Sequence, residues 1–211
     1  TFQVLPFVWQ TGGDLNDYAT SGATALAYLR GLIDDGSMSE AVTNYTQEDA
    51  RTQFITGKSA MMINGPWELA TLTKDAQFDW DVAPLPKDKR AATSMGGENV
   101  VVMNGAKQSD AAVKLAKYLT SAEGAKIYCD GSGQLSSRPD LKGKLKLSED
   151  AKNKVFESQL ADAHARAYGK DYPKISEAIQ LSMQEALTGA STPEAAAKKA
   201  ADTITPLLPK N

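Results

Sequence analysis

The sequence predicts an α/β fold, and three observations carry that prediction. Short apolar runs rich in valine, methionine and aromatic residues alternate with longer stretches of helical spacing. Gly and Pro punctuate the changeovers. The last third is helical throughout, so helix outweighs strand.

Residues 1–13 are apolar and aromatic and end in Thr11-Gly12-Gly13, which reads as an extended segment entering a turn. Residues 22–34 carry Ala25, Leu26, Leu29, Leu32 and Ile33, a helical stripe that stops near Gly36. Thr46 and Asp49 have the spacing of a capping box, and the helix after it puts Ala50 and Phe54 on one face before Gly57. Residues 59–63 read as a buried strand, Asn64-Gly65-Pro66 as a turn, and Pro66 as the first turn of a helix carrying Trp67. Residues 78–83 form a second strand, closed by Pro84 and Pro86, and residues 99–103 a valine-rich third.

Ser109 to Leu119 is an amphipathic helix through Ala112, Leu115, Ala116 and Leu119, and Thr120 with Glu123 is expected to cap the next. Phe156, Leu160 and Ala163 share a helical face. Ile175, Ala178, Ile179, Ser182, Met183, Ala186 and Leu187 make a long stripe ending at Gly189. Thr192-Pro193-Glu194 starts a final alanine-rich helix. There is no internal repeat.

The 211 residues suffice for one large domain or two modest lobes. Hydrophobic residues make up 42% and charged residues 23%, and the net charge of -3 is spread with both signs mixed. No basic block points to a nucleic-acid partner. No apolar run is long enough to span a bilayer. The chain opens at Thr1 rather than Met, as expected of a processed or cut product, which leaves export open. A lone Cys129 excludes an internal disulfide framework and a multi-thiolate metal site.

Three passages in series carry a family resemblance. The first is Phe54-Ile55-Thr56-Gly57-Lys58-Ser59-Ala60-Met61-Met62-Ile63-Asn64-Gly65-Pro66-Trp67. The second is Phe78-Asp79-Trp80-Asp81-Val82-Ala83-Pro84-Leu85-Pro86, followed by Gly96-Gly97-Glu98-Asn99. The third runs from Ala111 through Leu119 to Ser121-Ala122-Glu123-Gly124. In order and spacing they resemble the extracellular solute-binding proteins related to maltose-binding protein, the receptor components of ABC importers. The resemblance covers nearly the whole chain and is specific to the family rather than to one sugar.

It implies a periplasmic-binding-protein-like fold of type II, with two α/β lobes that close over a ligand. Residues 1–97 and 151–211 would then belong to the carboxy-terminal lobe, and residues 98–150 to the amino-terminal lobe. On that resemblance the sequence would lack most of the amino-terminal lobe, which becomes an expected partner, in the same protein or as a second polypeptide. The other partners implied are a carbohydrate ligand and a membrane permease. The implied location is extracytoplasmic, either periplasmic or as a cell-surface lipoprotein. No cofactor or metal is implied.

A sugar site needs flat aromatic surfaces for C–H faces and planar hydrogen-bonding groups for the rim of hydroxyls. Trp67 stands just after an expected strand, where strand ends open into a cleft, and relatives commonly place a stacking aromatic there. Trp9, with Phe7, lies in the segment before the Gly-Gly turn; core packing is the competing role. Trp80 alternates with Phe78 and reads as core. Gly96 and Gly97 allow close backbone approach beside Glu98 and Asn99, whose carboxylate and amide suit paired hydroxyls. Arg138 offers a fork of donors. Arg166 and Tyr172, with Tyr168, precede the helix at Ile175 in a region that lines the cleft in relatives.

Enzyme readings have little support. His164 is the only histidine and reads as an exposed surface residue on a helix. No serine sits in a nucleophile elbow, and no glycine loop is built to cradle phosphate. Three rivals remain: the same fold binding a polyamine or glycerophosphate, a non-catalytic interaction module, and a two-carboxylate glycosidase.

Overall fold

A computed structural model describes residues 1–209. They group into two compact units. The first comprises Thr1–Ala50, Leu85–Gly96 and the chain from Ala161 onward; the second comprises Arg51–Pro84 and Gly97–Leu160. Residues 51–84 thus group with residues 97–160.

In the first unit, residues 1–13 are not extended. Leu5–Gln10 form a helix, α1, with Pro6 in its first turn. An unbroken apolar run does not reveal its period, and Pro6 is the local signal that favours helix. Asp14 then caps a 3₁₀ turn reciprocally with Asp17, leading into α2, Tyr18–Asp34. The predicted Thr46–Asp49 box is present: Asp49 N donates to Thr46 Oγ1 over 3.1 Å, and Thr46 N to Asp49 Oδ2 over 2.9 Å. The helix that follows is α3, Gln47–Ile55.

The core of this unit is a helical stack. Leu26 and Ala25 of α2 pack with Ile175, Ile179 and Ala186 of α8 (Tyr172–Leu187) and with an alanine face of α9 (Pro193–Ile204). Ala196, Ala197, Ala200 and Ala201 have no bulk beyond Cβ, so α9 lies close against α2. Full burial of each large side chain, such as Ile175 or Leu26, stabilises by about 1.5–3 kcal/mol. Beside the stack run two short strands, β1 (Thr93–Met95) and β2 (Ala163–Ala165). They are parallel, with Thr93 opposite Ala163 and Met95 opposite Ala165.

The second unit holds α4 (Leu69–Asp75), α5 (Ser109–Leu119), α6 (Ala122–Ser132) and α7 (Ala151–Gln159). Its interior is small: Cys129, Leu141 and Leu145 form one cluster. The Arg51–Glu68 pair, 2.8 Å long, ties α3 to the start of α4. Phe54 meets Phe78 edge-on, with centroids 5.3 Å apart. The α5 helix has the predicted bounds, yet none of its residues is buried.

Three predicted strands, at 59–63, 78–83 and 99–103, are irregular. A strand forms only when its amides and carbonyls find a ladder partner, and none of these segments has one among the described residues. Their side chains lie open: Met61 is 84% exposed, Val101 71% and Met103 73%. Two helical predictions also shift. The cap of α6 is Ser121, whose Oγ accepts from Gly124 N, while Thr120 bonds back to Ala116 O. Ala163 leaves the face expected for Phe156 and Leu160, because α7 ends at Gln159 and Ala163 begins β2.

Candidate ligand-binding site

The carboxyl ends of β1 and β2 emerge side by side, at Gly96 and Arg166. In α/β structures ligands lie beyond such ends. Here the Arg166 guanidinium carbon lies 4.9 Å from the centroid of the Phe2 ring and 5.9 Å from that of Tyr172. Arg166 Nη1 donates to the Tyr172 hydroxyl over 3.3 Å, and that hydroxyl is 3.1 Å from Thr1 Oγ1. Phe2 is fixed in turn, its carbonyl accepting from Ser94 Oγ over 2.7 Å. Its ring rests on Gly96, where a Cβ would come within 2.7 Å of a ring carbon. The guanidinium is therefore held between rings beside a backbone kept bare.

Trp9 lies in the core of the same unit and is fully buried. It presents no ring face to a ligand, which corrects the expected contact role. Its Nε1 is 3.0 Å from Asp14 Oδ1 and 2.9 Å from the Tyr168 hydroxyl, and Tyr168 donates to Asp14. Burial, reinforced by the Asp14 carboxylate, pushes the Tyr168 phenol well above its ordinary range. The Trp9 ring stacks on His164, with centroids 5.0 Å apart. His164 is thus a half-buried strand residue opposite Ser94, not an exposed helical one. Phe7 packs against Tyr28, centroids 5.8 Å apart, at the margin of the core.

The remaining candidates lie in the second unit. Trp67 follows an irregular run rather than a strand and sits in a 3₁₀ turn, Pro66–Glu68, that opens α4. Its half-buried ring lies over Gly65, where a Cβ would fall 2.1 Å from a ring carbon. Gly97 has φ +140°, a conformation open to glycine. Glu98 and Asn99 after it are exposed. The Arg138 fork is already occupied: Nε and Nη2 donate to Asp140, both over 3.0 Å, and Nη1 to Thr120 O over 2.8 Å. Those bonds hold the Asp140 carboxyl below its usual range. Trp80 is half-buried with Lys152 Nζ 4.9 Å from its centroid. No cluster of side chains among the described residues could hold a metal ion.

Phe2 is the site residue that sequence reasoning missed. Its only signal is a small residue at 96, and that pairing spans most of the unit's sequence.

Residues 2–155 match the family described as bacterial extracellular solute-binding protein. The chain belongs to that family. This solute-binding protein is 30% identical to an ABC transporter solute-binding protein from Thermotoga lettingae solved with alpha-D-tagatose. The two superpose with a TM-score of 0.86, covering 99% of this chain and 56% of the other. A Brucella abortus protein is 26% identical over 216 residues, covering 96% of this chain and 52% of its own length. A maltooligosaccharide ABC transporter solute-binding lipoprotein of Streptococcus pneumoniae is 32% identical over 95 residues, 44% of this chain and 22% of that protein. The chain thus spans about half the length of the full-coverage relatives it matches. Its fold is that of the type II periplasmic solute-binding proteins, so the α/β class holds for the fold, with one two-stranded sheet described in this chain.

Proposed function

We propose that this chain is the carboxy-terminal portion of a receptor that binds a mono- or oligosaccharide and delivers it to an ABC permease. The reading rests on the likeness to the tagatose-bound Thermotoga lettingae protein over 99% of the chain. In the complete receptor the ligand lies between two lobes, and lobe closure is favoured by contacts made only in the closed form. Residues 98–150 belong to the amino-terminal lobe, and residues 1–97 and 151–211 to the other. Phe2, Arg166 and Tyr172 line the carboxy-terminal side of the site. In the second unit, taken by itself, Trp67, Gly97, Glu98 and Asn99 are the candidate aromatic and polar ligand contacts. The receptor works outside the cytoplasmic membrane, in the periplasm or as a surface lipoprotein, and performs no covalent chemistry.

Calorimetric titration of the complete protein with a panel of sugars tests this. Saturable binding, with the sugar recovered unchanged, is the expected result. Absence of binding across the panel, or steady release of a hydrolysis product, would sink it.

A further inference from the structure

We propose that the ligand of this site carries a carboxylate, as a sugar acid does, and that Arg166 receives it. The proposal rests on the sugar-receptor reading above and deepens it.

The other arginines show what a structural guanidinium finds in this chain. Arg30 pairs with Asp34 and donates to Leu187 O. Arg51 pairs with Glu68, and Arg138 with Asp140. Arg90 donates to the carbonyls of Trp9 and Gly13. Each has a carboxylate or carbonyl oxygen. Among the described residues Arg166 has neither; its one hydrogen bond goes to a neutral phenol. Its Nε is buried with no hydrogen-bond partner.

A cation held partly out of water without an anion is unfavourable unless something else supplies the charge. The rings of Phe2 and Tyr172 supply some of it, since their faces attract cations. They also fix the plane of the guanidinium, so little freedom is lost when a planar partner arrives. A carboxylate is such a partner: it accepts two parallel N–H bonds from the outer edge of the fork, about twice as strong as neutral ones. A neutral hydroxyl would leave the charge uncompensated. The position agrees, because Arg166 stands at the carboxyl end of β2, where ligands of such sheets lie.

The test uses the complete protein and compares hexuronates with the matching neutral hexoses by calorimetry. The uronate is expected to bind about tenfold more tightly or better, and the preference should shrink as salt rises. Arg166→Gln should abolish the preference, so that uronate and neutral sugar bind alike, with any loss common to both sugars read separately from it. An unchanged thermal melt of Arg166→Gln serves as the control for folding. Arg166→Lys, which keeps the charge and loses the fork, should retain only part of the preference. Equal affinities, or a uronate preference that survives Arg166→Gln, would overturn the proposal and leave the sugar-receptor reading intact. If neither class of sugar binds, both readings fall together.

Discussion

The Tyr18 hydroxyl lies 3.0 Å from Ser182 Oγ, deep in the first unit, and Ser182 donates onward to Ile179 O. A buried polar group is tolerable only when bonded, and this pair satisfies both oxygens. Burial raises the Tyr18 phenol to about 12, against an ordinary 10, with the Ser182 bond working the other way. The raised value means that the neutral phenol is the form the fold favours. Its contribution is fully present below pH 10 and is lost as pH rises toward about 12, on the order of 2 kcal/mol. Denaturant titrations at neutral and alkaline pH should show that slope, and Tyr18→Phe should flatten it; an unchanged slope in Tyr18→Phe would refute the assignment. The two candidate tryptophans separate in the same way. Trp9→Ala empties a filled core position and should cost about 3–5 kcal/mol in stability. Trp67→Ala in the complete receptor should weaken sugar binding by about tenfold with a small change in melting temperature. The reverse pattern would exchange their roles. Sequence singled out both residues for a ligand, because spacing marks an aromatic near a turn and does not mark which ring is covered. What covers Trp9 is Tyr168 and His164, more than 150 residues away in the chain.

At the scale of elements, most helices were legible, α1 excepted, and strands were not, and the reason is the reach of the interactions. The bounds of α5 follow from its own stripe, and the caps at Thr46 and Thr192 bond amides within a few residues. Helix stops at Gly36, Gly57 and Gly189 all use positive φ, which glycine tolerates. A strand carries no such local closure. Residues 99–103 have strand composition, yet ladder bonds require a neighbour that composition cannot provide. The α6 cap shows the finer limit: Thr120 and Ser121 both offer a hydroxyl, and only the backbone path decides that Ser121 bonds Gly124 N. Ser121→Ala should therefore cost about 1 kcal/mol, and Thr120→Ala distinctly less. Thermal melts of the two variants would settle the assignment, and a larger loss at Thr120 would reverse it.

At the scale of the whole molecule, the two units differ in what they leave uncovered. Of the 18 large apolar side chains exposed among the described residues, 14 belong to the second unit, so its apolar surface is the one that lacks cover. They include Val100 to Met103, Met61, Ile63, Ile127, and Leu115 and Leu119 of α5. A unit that carries so many exposed apolar side chains is expected to present an interaction face. Several of these residues flank backbone without ladder partners, and each buried orphan group would cost about 1–3 kcal/mol. The proposed amino-terminal lobe offers what both features need, a sheet edge for residues 99–103 and a sheet face for α5. The first unit needs no such help, because α2, α8 and α9 already bury one another. Hydrogen exchange should read this difference directly. In the 211-residue chain alone, amides of α2, α8 and α9 should be strongly protected, while those of residues 61–63, 78–83 and 99–103 exchange within the dead time. With the amino-terminal half supplied, in cis or as a second polypeptide, residues 99–103 should gain protection. Leu115→Glu would then weaken that assembly while sparing the stability of the first unit. Strong protection of residues 99–103 in the isolated monomer would mean that the strand finds its partner within this chain, and the division between the lobes would have to be redrawn.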